Sequence, residues 1–167
     1  MGQQSELKVD QDKSLREHLR RLLDWEDAHV NFDRATERIP LSARGVAPDG
    51  LPYSPWQLIE HLRITQRDIL DFCRDAAYVE PPPEHYWPPS PQPPGDAAWQ
   101  DSIAAFFRDR EALKQLASDT SVNLFDRIPH GSGQTYLREL LLVADHNAYH
   151  VAQLVAVLRA LGVWKSS

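Results

Sequence analysis

Two histidines stand four apart in the run Asp145-His146-Asn147-Ala148-Tyr149-His150. On a helix, positions i and i+4 share a face one turn apart, with about 5–6 Å between Cβ atoms. That spacing lets two imidazoles hold one metal ion, as in H-E-x-x-H enzymes. The pair also falls within an apolar stripe of Val143, His146, His150, Leu154, Val157 and Leu161, so both rings are expected to face a core. Burying two imidazoles side by side is costly unless each ring nitrogen has a partner, and a metal supplies one to each ring. Two core histidines satisfied by hydrogen bonds are the alternative. His61 shifts the balance, because it is a third histidine on the apolar face of a different helical stretch. Three neutral imidazoles with an open position suit zinc, and nickel or iron would also accept them. A zincin-type peptidase is excluded, since it needs Glu directly after the first His and Asn147 stands there.

Four helical stretches must position these residues. The first is expected over 14–37, with Leu15, Leu19 and Leu22 as its clearest apolar positions. The second, over 54–76, opens at Ser54-Pro55-Trp56-Gln57, an S-x-x-Q capping box with proline at the first helical position. Its buried stripe reads Leu58, His61, Leu62, Thr65, Ile69 and Phe72. The third, over 97–118, follows Gly95-Asp96 with Asp96 as a cap, and carries Trp99, Ile103, Phe106, Arg110, Leu113 and Ala117 on one face. The fourth spans 135–161, and Gly162 is placed to end it in the left-handed conformation. No segment alternates apolar and polar residues in the manner of a strand. Four amphipathic helices in one domain have an economical solution, an antiparallel four-helix bundle with a shared core.

The chain has 167 residues, which is one domain by length, with a polar tail over 1–13 and the domain over 14–164. A chain this size buries roughly 70% of its unfolded surface, enough for a core without staples. Cys73 is the only cysteine, so an intramolecular disulfide and a four-cysteine zinc site are excluded. It is expected to be an inert buried thiol. The net charge of −6 speaks against a phosphate-tracking surface, so no nucleic-acid partner is expected. Apolar runs are far shorter than the ~20 residues of a membrane span, and the N-terminus lacks a signal-peptide core. A soluble, cytoplasmic protein is the expectation.

Eight of the 13 prolines fall between Pro81 and Pro94. Proline lacks the N–H and fixes φ, so this stretch is read as an extended, polyproline-like loop. It is expected to border the site and govern access to it, presenting His85, Tyr86 and Trp87 as a lid, without shaping the metal site itself. Three further residues are candidates for a substrate pocket. Gln153 follows His150 by three positions on the same face, where it would line the cavity or simply pack. Arg110 interrupts an apolar stripe and is either a snorkelling edge residue or an anchor for an anionic group. His29, with Trp25, lies toward the edge of the first helix's core face. Glu60 adjoins His61 but points about 100° away, toward solvent. Arg16, Arg20 and Arg21 read as a solvated helix face.

The stretch Ser54 to Leu62 and the run Thr135-Tyr136-Leu137-Arg138-Glu139-Leu140 into DHNAYHVAQLVAVLRALG closely resemble the DinB/YfiT-like superfamily. The specific part is one His on the second helix plus His-x-x-x-His-x-x-Gln on the fourth, over roughly residues 12 to 164. The approach Ile128-Pro129-His130-Gly131 is similar as well. The resemblance implies an antiparallel four-helix bundle binding a divalent metal through three helix-borne ligands, matched here by His61, His146 and His150. It also implies a homodimer, and either hydrolysis or transfer and isomerisation using a low-molecular-weight thiol such as mycothiol or bacillithiol. The long 81–94 loop departs from the short connection of that family. A metal-dependent enzyme acting on a small molecule is thus the leading expectation. A non-catalytic metal- or ligand-binding bundle of the stress-response type is the rival, and a purely structural bundle the third.

Overall fold

Local chemistry sets most helix ends in the computed structural model of the chain, which describes residues 2–24 and 27–164. Ser54 Oγ accepts the Gln57 amide at 3.2 Å while Gln57 Oε1 accepts the Ser54 amide at 3.1 Å, so the capping box opens helix α3, Pro55–Arg74. Thr135 accepts the Arg138 amide and caps helix α5, Tyr136–Ala160. Gly162 follows at φ 70°, the left-handed value expected of it. Helix α4, Asp96–Ser118, starts one residue earlier than expected. Gly95 is its N-cap, and Asp96 does not cap but turns its carboxylate to Arg44.

The first stretch departs from expectation. Instead of one helix over 14–37, helix α1 runs Gly2–Leu22 and a five-residue helix α2 covers Phe32–Thr36. Asn31 explains the restart: its Oδ1 accepts the Arg34 amide, and its Nδ2 donates to the Asp24 carbonyl at 3.3 Å. A side chain that bonds nearby backbone in this way offers the chain an alternative to a continuous helix. Trp25, expected at the helix edge, lies outside the described residues.

The described residues are all-helical, with five α-helices and no strand. Helix α3 packs on α4 and α5, α1 packs on the same two, and α2 lies on α5. One apolar cluster holds Phe32, Trp56, Leu62, Trp99, Phe106 and Leu154; a second holds Leu19, Ile69, Leu113, Leu140 and Val143. Phe32 stacks on Phe106 at 3.8 Å between centroids, which seats the short α2. No described helix is long and apolar enough to cross a membrane.

Arg16 is buried and does not belong to a solvated face. Its guanidinium donates to the carbonyls of Ala117, Asp119 and Val122 at 3.1, 2.9 and 2.8 Å. Ala117 and the C-cap Asp119 lie at the C-terminal end of α4, where a cation meets the negative end of the helix dipole, and Val122 follows in the turn beyond it. The contact ties α1 to α4.

The proline-rich loop is also not simply extended, because Pro83–Tyr86 forms a 3-10 turn. Proline at the start of such a turn sacrifices no hydrogen bond and already has a suitable φ. The loop returns along α3 instead of staying where α3 ends. Tyr78 and Tyr86 both donate their hydroxyls to Asp68, at 2.8 and 3.0 Å, and Ser54 Oγ donates to the Pro91 carbonyl at 2.6 Å.

Candidate metal centre

His61 lies on α3 two turns from its start, and His146 and His150 lie one turn apart on α5. Packing of α3 on α5 brings the three rings together, with potential ligand nitrogens all within 4.8 Å of one another. His61 Nε2 stands 3.1 Å from His146 Nε2 and 3.2 Å from His150 Nε2. His61 and His150 are buried and His146 is half-buried.

The outer nitrogens decide what the inner ones can do. His61 Nδ1 meets the Tyr86 carbonyl at 2.7 Å, and a carbonyl only accepts, so this nitrogen carries the proton. His150 Nδ1 donates in the same way to Gln153 Oε1 at 2.8 Å. In the neutral rings both Nε2 atoms are therefore bare, and two lone pairs face each other across 3.2 Å. Such a pair needs a cation between its members. Ligands held about 2.0–2.1 Å from a tetrahedral zinc stand about 3.3 Å apart, close to the spacing here. A proton could bridge only one pair, whereas a divalent ion would take all three lone pairs. The donor set fits a divalent metal.

Protonation is disfavoured as well. Burial pushes the His61 imidazolium down to about 4, against an opposing contribution from the Tyr86 carbonyl. Burial likewise takes His146 to about 4, with His150 and His61 adding to the effect. His150 is lowered by burial too. Neutral imidazole is the form that binds metal.

The loop enters this centre directly. The Trp87 indole stacks on His61 at 3.8 Å and 5° from parallel, and Tyr53 stacks on the other face of Trp87 at 3.9 Å. The loop therefore does border the site, but it also helps to shape it, contrary to the expectation that it only governs access. Tyr86, 25 residues away, and its neighbour Trp87 orient His61 through a backbone carbonyl and a ring face.

The remaining candidates are placed as follows. Gln153 bonds His150, so it orients a ring of the cluster. Arg110 is buried and makes two bonds to Asp33, at 2.6 and 3.1 Å, with its guanidinium over Phe107. His29 is exposed, with Nδ1 at 3.0 Å from the Val30 carbonyl, and lines a cavity of about 250 Å³ with Phe32, Asn147 and Val151. The structure thus brings Gln153 to the histidines and gives Arg110 an internal partner. Glu60 is not simply solvated: it accepts from Arg63 and Ser102 and is held below the usual carboxylate range by those bonds against the burial that raises it. Burial pushes the Cys73 thiol up to about 12, as suits an inert core residue. His130 Nε2 donates to the Phe72 carbonyl near the end of α3, at 2.8 Å.

The residues that sequence reasoning missed are Tyr53, Gln66 and the carbonyl of Tyr86. Gln66 carried a signal, since it breaks a second apolar stripe of α3, Ile59, Leu62, Ile69 and Cys73. Stacking by Tyr53 and a backbone acceptor leave no such pattern.

A family model described as the DinB superfamily matches residues 24–154. No curated protein and no solved structure matches the chain.

Proposed function

The chain belongs to the DinB superfamily, and on that premise we propose that it is a divalent-metal-dependent enzyme acting on a small molecule. His61, His146 and His150 would hold the ion, on an antiparallel four-helix bundle. The observation that carries this reading is the pair of bare Nε2 lone pairs on His61 and His150, 3.2 Å apart with both outer protons already committed. A bound divalent ion supplies a Lewis-acid position that lowers the pKa of a water or thiol delivered to it.

The residues do the remaining work. Tyr86 and Gln153 hold two rings in the tautomer that turns Nε2 inward. Trp87 covers one face of His61 and keeps water off it. No carboxylate belongs to the histidine group among the described residues, and Glu60 is engaged by Arg63 and Ser102. A general base is therefore absent from the group. That favours chemistry in which the nucleophile is activated without one, either hydrolysis or transfer from a low-molecular-weight thiol.

The test is the metal content of untagged protein purified without chelating resin, followed by turnover on a panel of esters, amides and thiol cofactors. Near-stoichiometric zinc, nickel or iron with turnover supports the proposal. Metal without turnover across the panel favours a non-catalytic binding bundle, and no metal uptake leaves a structural one.

A further inference from the structure

The hydrogen-bond partners of the returning loop on α3 fall at equal steps along the helix. The N-cap Ser54 donates to the Pro91 carbonyl, His61 meets the Tyr86 carbonyl, and Asp68 accepts the Tyr86 hydroxyl. Seven residues are close to two helical turns, roughly 10.5 Å of rise with a drift of about 20°. Ser54, His61 and Asp68 therefore line one face of α3, and the chain from Tyr86 to Pro91 runs along it from His61 back to the helix start. Tyr86 makes two of these contacts. Its phenol reaches Asp68 Oδ2 at 3.0 Å while its carbonyl meets His61 Nδ1 at 2.7 Å, so one residue bridges two turns of the helix.

Asp68 holds a second phenol. Tyr78, which follows the end of α3, donates to Oδ1 at 2.8 Å, so each carboxylate oxygen takes one hydroxyl. Hydrogen bonds to an ionised acceptor are roughly twice as strong as neutral ones. Burial, and then the Asp68 bond and charge, push both phenols up, Tyr86 to about 12, so both stay donors at neutral pH. The arginines beside Asp68 are engaged elsewhere: Arg63 bonds Glu60, and Arg67 bonds Asp71 and Asp109. The carboxylate thus staples Tyr78 to Tyr86, and Pro81, Pro82 and Pro83 between them restrict how the stapled segment can move.

His61 has two ways to be neutral. With the proton on Nδ1 it donates to the Tyr86 carbonyl and leaves Nε2 bare. With the proton on Nε2 it would donate to His150 across 3.2 Å and leave Nδ1 bare. The second form closes the lone pair that a cation needs. The Trp87 stack does not choose between them, because a ring face meets both tautomers alike. The placed carbonyl does. We propose that Asp68 is a positioning residue of the histidine centre: through the Tyr86 phenol it sets the loop register that puts the Tyr86 carbonyl on His61 Nδ1 and keeps Nε2 bare. The inference rests on the metal reading for its purpose and on the hydrogen bonds alone for its geometry. Loss of an outer partner of a metal-binding histidine typically lowers affinity by about 10–100-fold.

The experiment uses metal-free full-length protein and long-range proton–nitrogen NMR correlations, which report the tautomer of each histidine. Wild-type His61 should be protonated at Nδ1. Tyr86→Phe keeps the ring and the carbonyl and removes only the hydroxyl. It should move His61 toward the Nε2–H form and weaken zinc binding about tenfold in a chelator competition. Asp68→Ala should do the same. Tyr78→Phe takes one bond from the same carboxylate without touching residue 86, and should leave His61 as in wild type. Equal shifts in Tyr78→Phe and Tyr86→Phe would overturn the proposal, because the carboxylate would then only stiffen the loop. An unchanged His61 tautomer in Tyr86→Phe would overturn it too, as would wild-type His61 protonated at Nε2, a result that needs no variant to fold. An Nδ1–H tautomer in wild type that shifts in Tyr86→Phe, with no zinc uptake by either, would support the positioning role and sink the metal reading instead.

Discussion

The indole of Trp87 lies flat on the imidazole of His61, 3.8 Å away and 5° from parallel. It is itself backed by Tyr53 at 3.9 Å, so one ligand candidate is clamped by a three-ring stack. Trp87→Ala removes the middle of that stack. Zinc affinity should fall about tenfold, the lower end for loss of an outer partner, because the Tyr86 bond still orients the ring. A chelator competition with zinc measures this, and unchanged affinity would show the stack to be packing alone. Nickel added to wild type should also quench indole fluorescence, with Trp87→Phe losing most of the response.

Each histidine of the cluster should be needed for the metal. His61→Ala, His146→Ala or His150→Ala should each sharply lower occupancy after dialysis against zinc, read by elemental analysis. Three single variants that keep full occupancy would remove the basis for a shared ion.

Replacing residues 81–94 with a short Gly/Ser linker should cost the protein metal affinity as well as altering access. The linker removes the Tyr86 carbonyl from His61 Nδ1 and Trp87 from its face. Zinc affinity equal to wild type would return the loop to the role of a mere cover.

In the metal-free protein, stability should depend on pH in a definite direction. His61 and His146 titrate near 4 when folded and near 6.5 when unfolded, so between these values the unfolded chain binds more protons. Stability should thus be lost as the pH falls from about 6.5 toward 4, and level off for these groups below that. His150, lowered as well, adds in the same direction. Urea midpoints across this range test it: the wild-type slope should shrink in His61→Phe or His146→Phe.

Arg16→Met should destabilise the fold by about 1.5–3 kcal/mol, the scale of hydrogen bonds to a charged group. Three carbonyls at and just beyond the end of α4 lose their donor while the aliphatic stem still packs. Urea unfolding at constant metal loading gives the number.

His61, His146 and His150 were legible because helix periodicity places ligand-type residues on apolar stripes, a pattern that local sequence carries by itself. The Ser54–Gln57 box and Gly162 were legible for the same reason, being contacts or conformations decided within a few residues. The break between α1 and α2 was not. Asp24 and Asn31 close it through a side-chain bond to backbone, with no proline or glycine to mark it. Arg16 was misread because a basic cluster looks alike whether it faces water or the end of another helix. Tyr86 was beyond reach for a deeper reason: what touches His61 is a backbone carbonyl, which every residue possesses.

Neutral oxygen acceptors, Tyr86 and Gln153, stand behind the rings of His61 and His150 where many metal centres have carboxylates. An ion seated among three uncharged ligands so supported would retain its full double charge. The chain around it is acidic, at −6 overall. Anions would therefore meet a weak long-range repulsion that salt screens, then a strong short-range attraction that salt barely touches. Chloride, phosphate or carboxylate buffers would then compete with an anionic substrate for an ion held by these residues, and the choice of buffer would set that substrate's apparent affinity.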